Sequence, residues 1–379
     1  MTSILSVAIV VTLITSAFII IRAGNVNCKG TIPSSLFAFM AILFTSGLDV
    51  GLIMFPLTEF PTYAKEEAYQ FTNPLAIEFG FWGFLVWGFY FLTTFYFCVI
   101  EPKVKLFEIP LVKIINNLVI ISTCAFTGYL FLSYLPSYIE GIPDWVRFGL
   151  VAIVVAAAVF SSTDINYVKI LSISSTWVFF ALIAGVMFFA PGLGVKEMFG
   201  TMANIGGYFT NLDKFVTPIS DYHQFYLFWW FSWSIMIGQF VARFVGGLKT
   251  WQLCIALLVI PSIPLAIWFS VLYYYHASAI EIVQIMKIAM VFVGVVFVIN
   301  SLDSLIRLYT SNMGITVERF GKVRYMVGNF IVMYGLILAY QFTPFDIEWV
   351  GLLVIGLYAI IYFLLFRQRE RLVEAVQPA

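Results

Sequence analysis

Charge is what this sequence most lacks. Only 11% of its 379 residues are Asp, Glu, Lys or Arg, twenty acidic against twenty basic, and the net charge is zero. A soluble chain of this length needs far more charge to keep its surface wet. A cytosolic enzyme, a secreted disulfide scaffold, a disordered chain and a nucleic-acid binder are therefore excluded. Histidine is nearly absent too. His223 and His276 are the only two, which removes haem bundles, di-iron sites and histidine-zinc centres. Four scattered cysteines, Cys28, Cys98, Cys124 and Cys254, form no paired or metal-ligand spacing. What is abundant is apolar mass: 62% hydrophobic and 18% aromatic residues, with a mean hydropathy of +0.98. The composition predicts a multi-spanning membrane protein whose chemistry comes from aromatics, backbone and a few buried polar groups.

A membrane helix takes about 20 mostly apolar residues. Apolar runs and their polar breaks predict eleven spans, at 3–22, 35–57, 76–98, 110–135, 145–162, 166–190, 223–245, 250–274, 282–309, 322–342 and 347–366. These are long continuous runs, not the short alternating strands of a barrel, so the fold class is an all-α membrane protein. With the N-terminus outside, fifteen basic residues, from Arg22 and Lys29 to Arg367, Arg369 and Arg371, fall on cytoplasmic loops. Four, Lys65, Arg147, Lys196 and Lys214, fall on the other side. Positive charge gathers inside, which predicts N-out and C-in in the inner or plasma membrane of a prokaryote. The first run lacks a basic n-region and a small-residue cleavage site, and reads as an uncleaved span. The longest non-spanning stretch, 191–222, carries Phe199, Met202, Ile205, Phe209 and Phe215 among polar residues. It predicts an amphipathic interfacial helix on the outer side.

Polar residues inside the spans mark candidate sites. In the second span Gly47 and Gly51 bracket Asp49, and Pro56 follows. One reading is a glycine-packed helix with a protonated or paired Asp. The other is an unwound segment lining a binding site, because broken backbone at this depth is tolerated only against protein or a cavity. The third span carries Trp82, Trp87 and Tyr90, which helical spacing gathers loosely on one side. Core or lipid-facing rings are the default for such a pattern. The seventh holds Trp229, Trp230, Trp233 and Ser234; an interfacial belt is the alternative there. Arg243, at the inner end, snorkels or makes a gating ion pair. Three rings around a small cavity suit a quaternary ammonium, worth about 2 kcal/mol or more per desolvated ring, because methylated nitrogen offers no N–H. In the ninth span Asn300, Ser301, Asp303 and Ser304 suggest oxygen ligands for a hard cation. The competing view is a helix end fraying toward the cytoplasm, since Arg307 follows.

Together these segments resemble the betaine/carnitine/choline transporter family. The strongest match is Trp229-Trp230-Phe231-Ser232-Trp233-Ser234 followed by Gly238-Gln239-Phe240-Val241-Ala242-Arg243. Gly47-Leu48-Asp49-Val50-Gly51-Leu52 with Glu59 downstream is similar to the family's glycine stretch. Trp82, Trp87 and Tyr90 fit its W-x4-W-x2-Y, and Asn300-Ser301-Leu302-Asp303-Ser304 resembles its T-S-x-D-S. The resemblance runs from about residue 34 to the C-terminus. It implies a leucine-transporter-type fold with two inverted five-helix repeats. The corresponding division is a peripheral helix and loop over 1–33, a first repeat over 34–190, and the outer interfacial helix within 191–222. A second repeat over 223–366 and a short cytoplasmic tail over 367–379 follow. By the resemblance, the first of the family's usual twelve spans and its long charged terminal domains would be expected to be lacking here; members tend to be homotrimers.

The resemblance also implies site residues. Trp82, Trp87, Tyr90 and Trp230 would form a central aromatic box, with Trp233 stacking on substrate along the path and Trp229 nearby. A sodium position would use backbone oxygens of Thr45, Leu48 and Phe297 with side chains of Asn300 and Ser301, Asn standing where Thr is usual. A second would use Thr123 and Thr127, although Ile235-Met236 replace the Pro-Phe expected beside it. Choline-carrying members have an Asp at the position of Gly51, two residues after Asp49. Asp49 could neutralise a cationic substrate or carry a proton. The expectation is a secondary transporter for osmoprotectants such as choline, glycine betaine or carnitine, coupled to Na+ or H+, with no other cofactor. It would work by rocking of spans two, three, seven and eight. Rivals are a same-architecture carrier for amino acids or other osmolytes and a non-transporting sensor or channel. No nucleophile, metal cluster or cofactor motif suggests an enzyme.

Overall fold

The computed structural model describes residues 2–48 and 50–376; Asp49 lies outside the described residues. Ten of the described helices are long and apolar enough to cross a membrane. They match the predicted spans to within a few residues, but the second falls short of a spanning helix and the third and eighth are interrupted.

Helix α1 (Thr2–Ala23) is apolar all round and largely exposed along its length. Ser35 then caps α2 (Leu36–Gly47) by accepting the Ala38 N–H, and the helix stops at Leu48, whose backbone is extended. Helical backbone resumes in α3 (Gly51–Met54) and α4 (Pro56–Lys65). Glycine weakens a helix and proline withholds an N–H from it, and Gly47, Gly51 and Pro56 sit at these joints. The indole of Trp268 donates to the Leu52 carbonyl at 2.9 Å, satisfying backbone beside the break.

The third span corrects an expectation. Trp82, Trp87 and Tyr90 do not share one continuous helix. Asn73 caps α5 (Pro74–Trp82), which ends where Gly83 turns extended. A short turn, with Phe84 at φ 48°, leads into α6 (Trp87–Phe95). The backbone N–H groups freed by the turn are taken up from outside: Phe84 donates to the Ser262 hydroxyl at 3.0 Å and Leu85 to Tyr208 at 3.3 Å.

Next come α7 (Pro110–Tyr138), α8 (Asp144–Ser161) and α9 (Asn166–Phe188). The 191–222 stretch forms α10 (Val195–Met202) and a second short helix at Gly206–Phe209 rather than one helix. Met198, Ile205, Tyr208 and Phe215 turn inward while Phe199 and Phe209 stay exposed. After α11 (Asp221–Val241), a strand at Gly246–Lys249 pairs antiparallel with Asn27–Lys29, tying the loop after α1 to the far end of α11. The eighth span is interrupted at Pro261, giving α12 (Thr250–Leu258) and α13 (Ser262–Ala277).

The ninth is α14 (Gln284–Met313), unbroken and closed by Gly314 at φ 67°. Its polar run is mid-helix and buried, so the reading of a fraying end is overturned. Helices α15 (Lys322–Phe342) and α16 (Ile347–Arg367) complete the bundle.

The packing is reciprocal. The set α2–α9 and the set α11–α16 each begin with a helix packed against the last helix of its own set: α2 on α9, α11 on α16. Between sets, α8 packs on α14 as α15 packs on α7, and α4 packs on α13 as α6 packs on α11. The two long helices α7 and α14 lie together at the centre. Such exchange of equivalent partners is what an internal two-fold relation produces.

Candidate substrate and ion sites

The helix breaks bring the predicted rings together. Trp82 ends α5 and Trp87 opens α6, and the Trp87 indole donates back to the Trp82 carbonyl at 3.2 Å across the turn. Trp230 of α11 donates to the Phe81 carbonyl at 2.7 Å, one of those left open where α5 stops. Trp82 and Trp230 meet edge to face at 5.2 Å between centroids, Trp87 and Tyr90 at 5.2 Å, and Tyr90 and Trp230 at 6.3 Å. Tyr90 donates to the Gly47 carbonyl at 3.1 Å, and a Cβ at Gly47 would stand 3.5 Å from the Tyr90 ring. The end of α2 therefore abuts the aromatic cluster. Trp229 stacks on Trp230 at 5.3 Å, facing Phe126 of α7. Trp233 is buried one turn on, outside the stacked rings, its indole N–H without a partner among the described residues.

All four box rings are essentially inaccessible to solvent. Edge-to-face contact at 5.2 Å leaves no space between Trp82 and Trp230 for a trimethylammonium group. The four rings are packed against one another in the core.

The set proposed for sodium is assembled in part. Leu48, where α2 ends, leaves its carbonyl free of the helix. The Ser301 hydroxyl donates to it at 3.1 Å and to the Thr45 carbonyl at 3.3 Å. Phe297, one turn back, and Asn300, the preceding residue, are fully buried. The Asn300 side-chain oxygen accepts from Ser172 of α9 at 3.3 Å while its amide nitrogen has no partner among the described residues. The oxygens of Thr45, Leu48 and Ser301 thus converge and fit a small hard cation, whereas Asn300 is engaged elsewhere. At the second position the Thr123 and Thr127 hydroxyls are both fully buried and unpartnered among the described residues. Such orphaned oxygens fit an ion or a water.

Asp303 is not exposed to a pathway. It forms a buried ion pair with Arg307, 2.9 Å apart, and Arg307 also donates to the Ser161 carbonyl at the end of α8. Arg243 makes no such pair: among the described residues no carboxylate lies within ion-pair distance. It lines a polar cavity of about 480 Å³ with Lys29, Glu101, Glu108, Lys113 and Gln239. Two functional candidates escaped the sequence. Ser172 orients Asn300, a contact no spacing reveals. Glu78, in an otherwise apolar run, is fully buried beside Glu59; the argument that singles out Asp49 applies to it equally.

A family described as betaine/carnitine/choline family transporter matches residues 109–275, from α7 through most of α13 and across the Trp229–Trp233 cluster. The glycine betaine transporter OpuD of Bacillus subtilis is 24% identical over 66% of this chain and 56% of its own length. An uncharacterized transporter of Haemophilus influenzae is 27% identical over 62% of this chain and 42% of its own. Over residues 109–275 the chain is similar to the betaine/carnitine/choline transporter family. It spans about half the length of the curated relatives it matches, 42%, 56% and 47% of the first three. Its fold is similar to that of a Na+-coupled sialic acid symporter solved in a substrate-bound outward-open state. The TM-score is 0.53 at 14% identity, over 94% of this chain and 85% of the other. The expected leucine-transporter-type architecture is the one observed.

Proposed function

We propose that this protein carries small quaternary-ammonium solutes by alternating access, choline ahead of glycine betaine or carnitine. The observation that carries the reading is the convergence of Trp82, Trp87, Tyr90 and Trp230 at two helix breaks. Such rings hold a methylated cation without needing its hydrogen bonds. The preference for choline rests on Asp49, which would balance a substrate that has no carboxylate of its own. Coupling to sodium is supported by the oxygens gathered around Ser301. Membrane orientation with the N-terminus outside, and assembly as a homotrimer, belong to the same proposal.

A second reading keeps the architecture but takes amino acids as cargo. A relative in Vibrio parahaemolyticus, 26% identical over 35% of this chain, is a glycine betaine/proline/choline transporter. Competition separates the two. Uptake of labelled choline blocked by excess glycine betaine but not by proline, and lost in Trp230→Leu, supports the quaternary-ammonium reading. Uptake blocked by proline and insensitive to Trp230→Leu supports the other. Asp49→Asn should harm choline selectively, and unchanged kinetics with every substrate would make Asp49 structural.

A further inference from the structure

A second group of acids lies one turn from the cage and has no role in holding an ammonium ion. Glu59 of α4 and Glu78 of α5 are buried and within hydrogen-bonding reach of each other. Three phenols converge on Glu59. Tyr63 donates to it at 2.7 Å, Tyr226 at 2.8 Å and 3.0 Å to its two oxygens, and Tyr222 also donates. Glu78 receives nothing: neither of its oxygens has a donor among the described residues. The Tyr63 hydroxyl, which is given to Glu59, and the Trp82 indole N–H lie near it but neither meets hydrogen-bond geometry with it.

The inventory of donors decides the charge state. A carboxylate takes only hydrogen bonds and gives none, whereas a carboxylic acid gives one. Glu59, surrounded by three donors, is arranged as the anion. Glu78, with no donor and one carboxylate neighbour, is arranged as the acid, its O–H directed at Glu59. Two bare carboxylates in contact and out of water would repel with nothing to offset the desolvation of either. A sodium ion fits less well, because the Glu59 oxygens are already occupied by hydroxyl hydrogens.

We propose that Glu59 and Glu78 form a proton-binding pair that exchanges its proton with solvent as the transporter changes state. Three features give the pair a path and a lever. Tyr222, hydrogen-bonded to Glu59, lines a cavity of about 210 Å³ together with Tyr134 and Asp346. The pair joins α4, α5 and α11, the first two flanking broken backbone. The Tyr226 ring lies 5.6 Å from Trp82 and 5.5 Å from Trp229. Separating Trp82 from the α11 tryptophans to admit substrate therefore pulls on the phenol that stabilises Glu59 as an anion. Substrate and proton affinity are then linked, and the linkage is reciprocal.

The other titratable groups around the pair are few. On α7, Tyr134 and Tyr138 face Glu59, and Tyr69 does so from the turn after α4. His223 of α11 stacks on Phe81, and Tyr273 and His276 of α13 lie on Phe60. Among the described residues no Lys or Arg makes an ion pair with either acid.

The inference rests on the transport reading, and the test separates the two. Purified wild-type protein, Glu78→Gln and Glu59→Gln are compared in three measurements: infrared difference spectra across bath pH, proton movement in liposomes holding a pH-sensitive dye when choline is added, and choline uptake. The wild type should show a protonated-carboxyl band that titrates and disappears in Glu78→Gln. Choline should move protons, and uptake driven by a pH gradient should fall roughly tenfold or more in Glu78→Gln. Tryptophan fluorescence should still report choline binding, showing that the variant is folded. A band that persists in both variants overturns the pair. So does wild-type uptake under a sodium gradient without proton movement, which leaves the transport reading standing. A titrating band lost in Glu78→Gln, with no uptake of any solute, upholds the proton site and sinks the transport reading.

Discussion

The Ser301 hydroxyl of α14 donates to the Leu48 carbonyl at 3.1 Å, joining the middle of one helix to the point where another stops. The carbonyl is available because α2 ends there, and the hydroxyl is buried with it. Sodium at this position would take the oxygens now bonded to each other. Ser301→Ala should raise the sodium concentration needed for half-maximal uptake by roughly tenfold, the worth of one good polar contact. Choline binding at saturating sodium should stay close to wild type. An unchanged sodium requirement would remove Ser301 from the ion site.

Trp230→Leu and Trp82→Leu should each weaken choline binding by roughly thirtyfold, the equivalent of about 2 kcal/mol for one desolvated ring. Trp230→Phe should do less harm, since it keeps a π face but loses the bond to the Phe81 carbonyl. Equilibrium binding of labelled choline in detergent measures all three. Equal affinities for wild type and Trp230→Leu would remove the ring from the box.

Thr123 and Thr127 offer a test in which stability and ion binding move in opposite directions. Their buried hydroxyls have no partner among the described residues, so replacement by Val removes an unsatisfied group of the same shape. In sodium-free buffer the Thr123→Val, Thr127→Val protein should melt at the wild-type temperature or above. Added sodium should stabilise it less than it stabilises the wild type. Equal stabilisation by sodium in both would place the ion elsewhere.

The Asp303–Arg307 pair is buried on both sides. Removing one partner leaves a charge without compensation, which costs about 3–5 kcal/mol. Asp303→Ala and Arg307→Ala should each lower the thermal midpoint in detergent strongly, and the double variant should lose less than their sum. Additive losses would mean that the two side chains do not stabilise the protein through each other.

Much of the architecture was legible because apolar runs and their polar ends are local. Span limits such as those of α11 and α16 follow directly from hydropathy. The break after Gly47 was legible as well, since glycines flanking a membrane-depth acid are a local signal. The break at Gly83 was not, because the Ser262 and Tyr208 side chains that compensate it come from distant parts of the chain. The same holds for Ser172 on Asn300 and for Glu78 on Glu59. Their residue types were visible, but their meeting depends on how the two sets of helices pack. For Arg243 the position at a helix end suggested snorkelling or a gating ion pair; it lines a cavity and has no ion-pair partner among the described residues.

Substrate accumulation against a gradient bears most directly on the central claim. Purified protein in liposomes, under an imposed sodium or proton gradient, should accumulate labelled choline above its external concentration, and Trp230→Leu should abolish the accumulation. If neither choline, glycine betaine nor carnitine is accumulated under either gradient, the assignment of the aromatic cage to quaternary-ammonium transport is wrong.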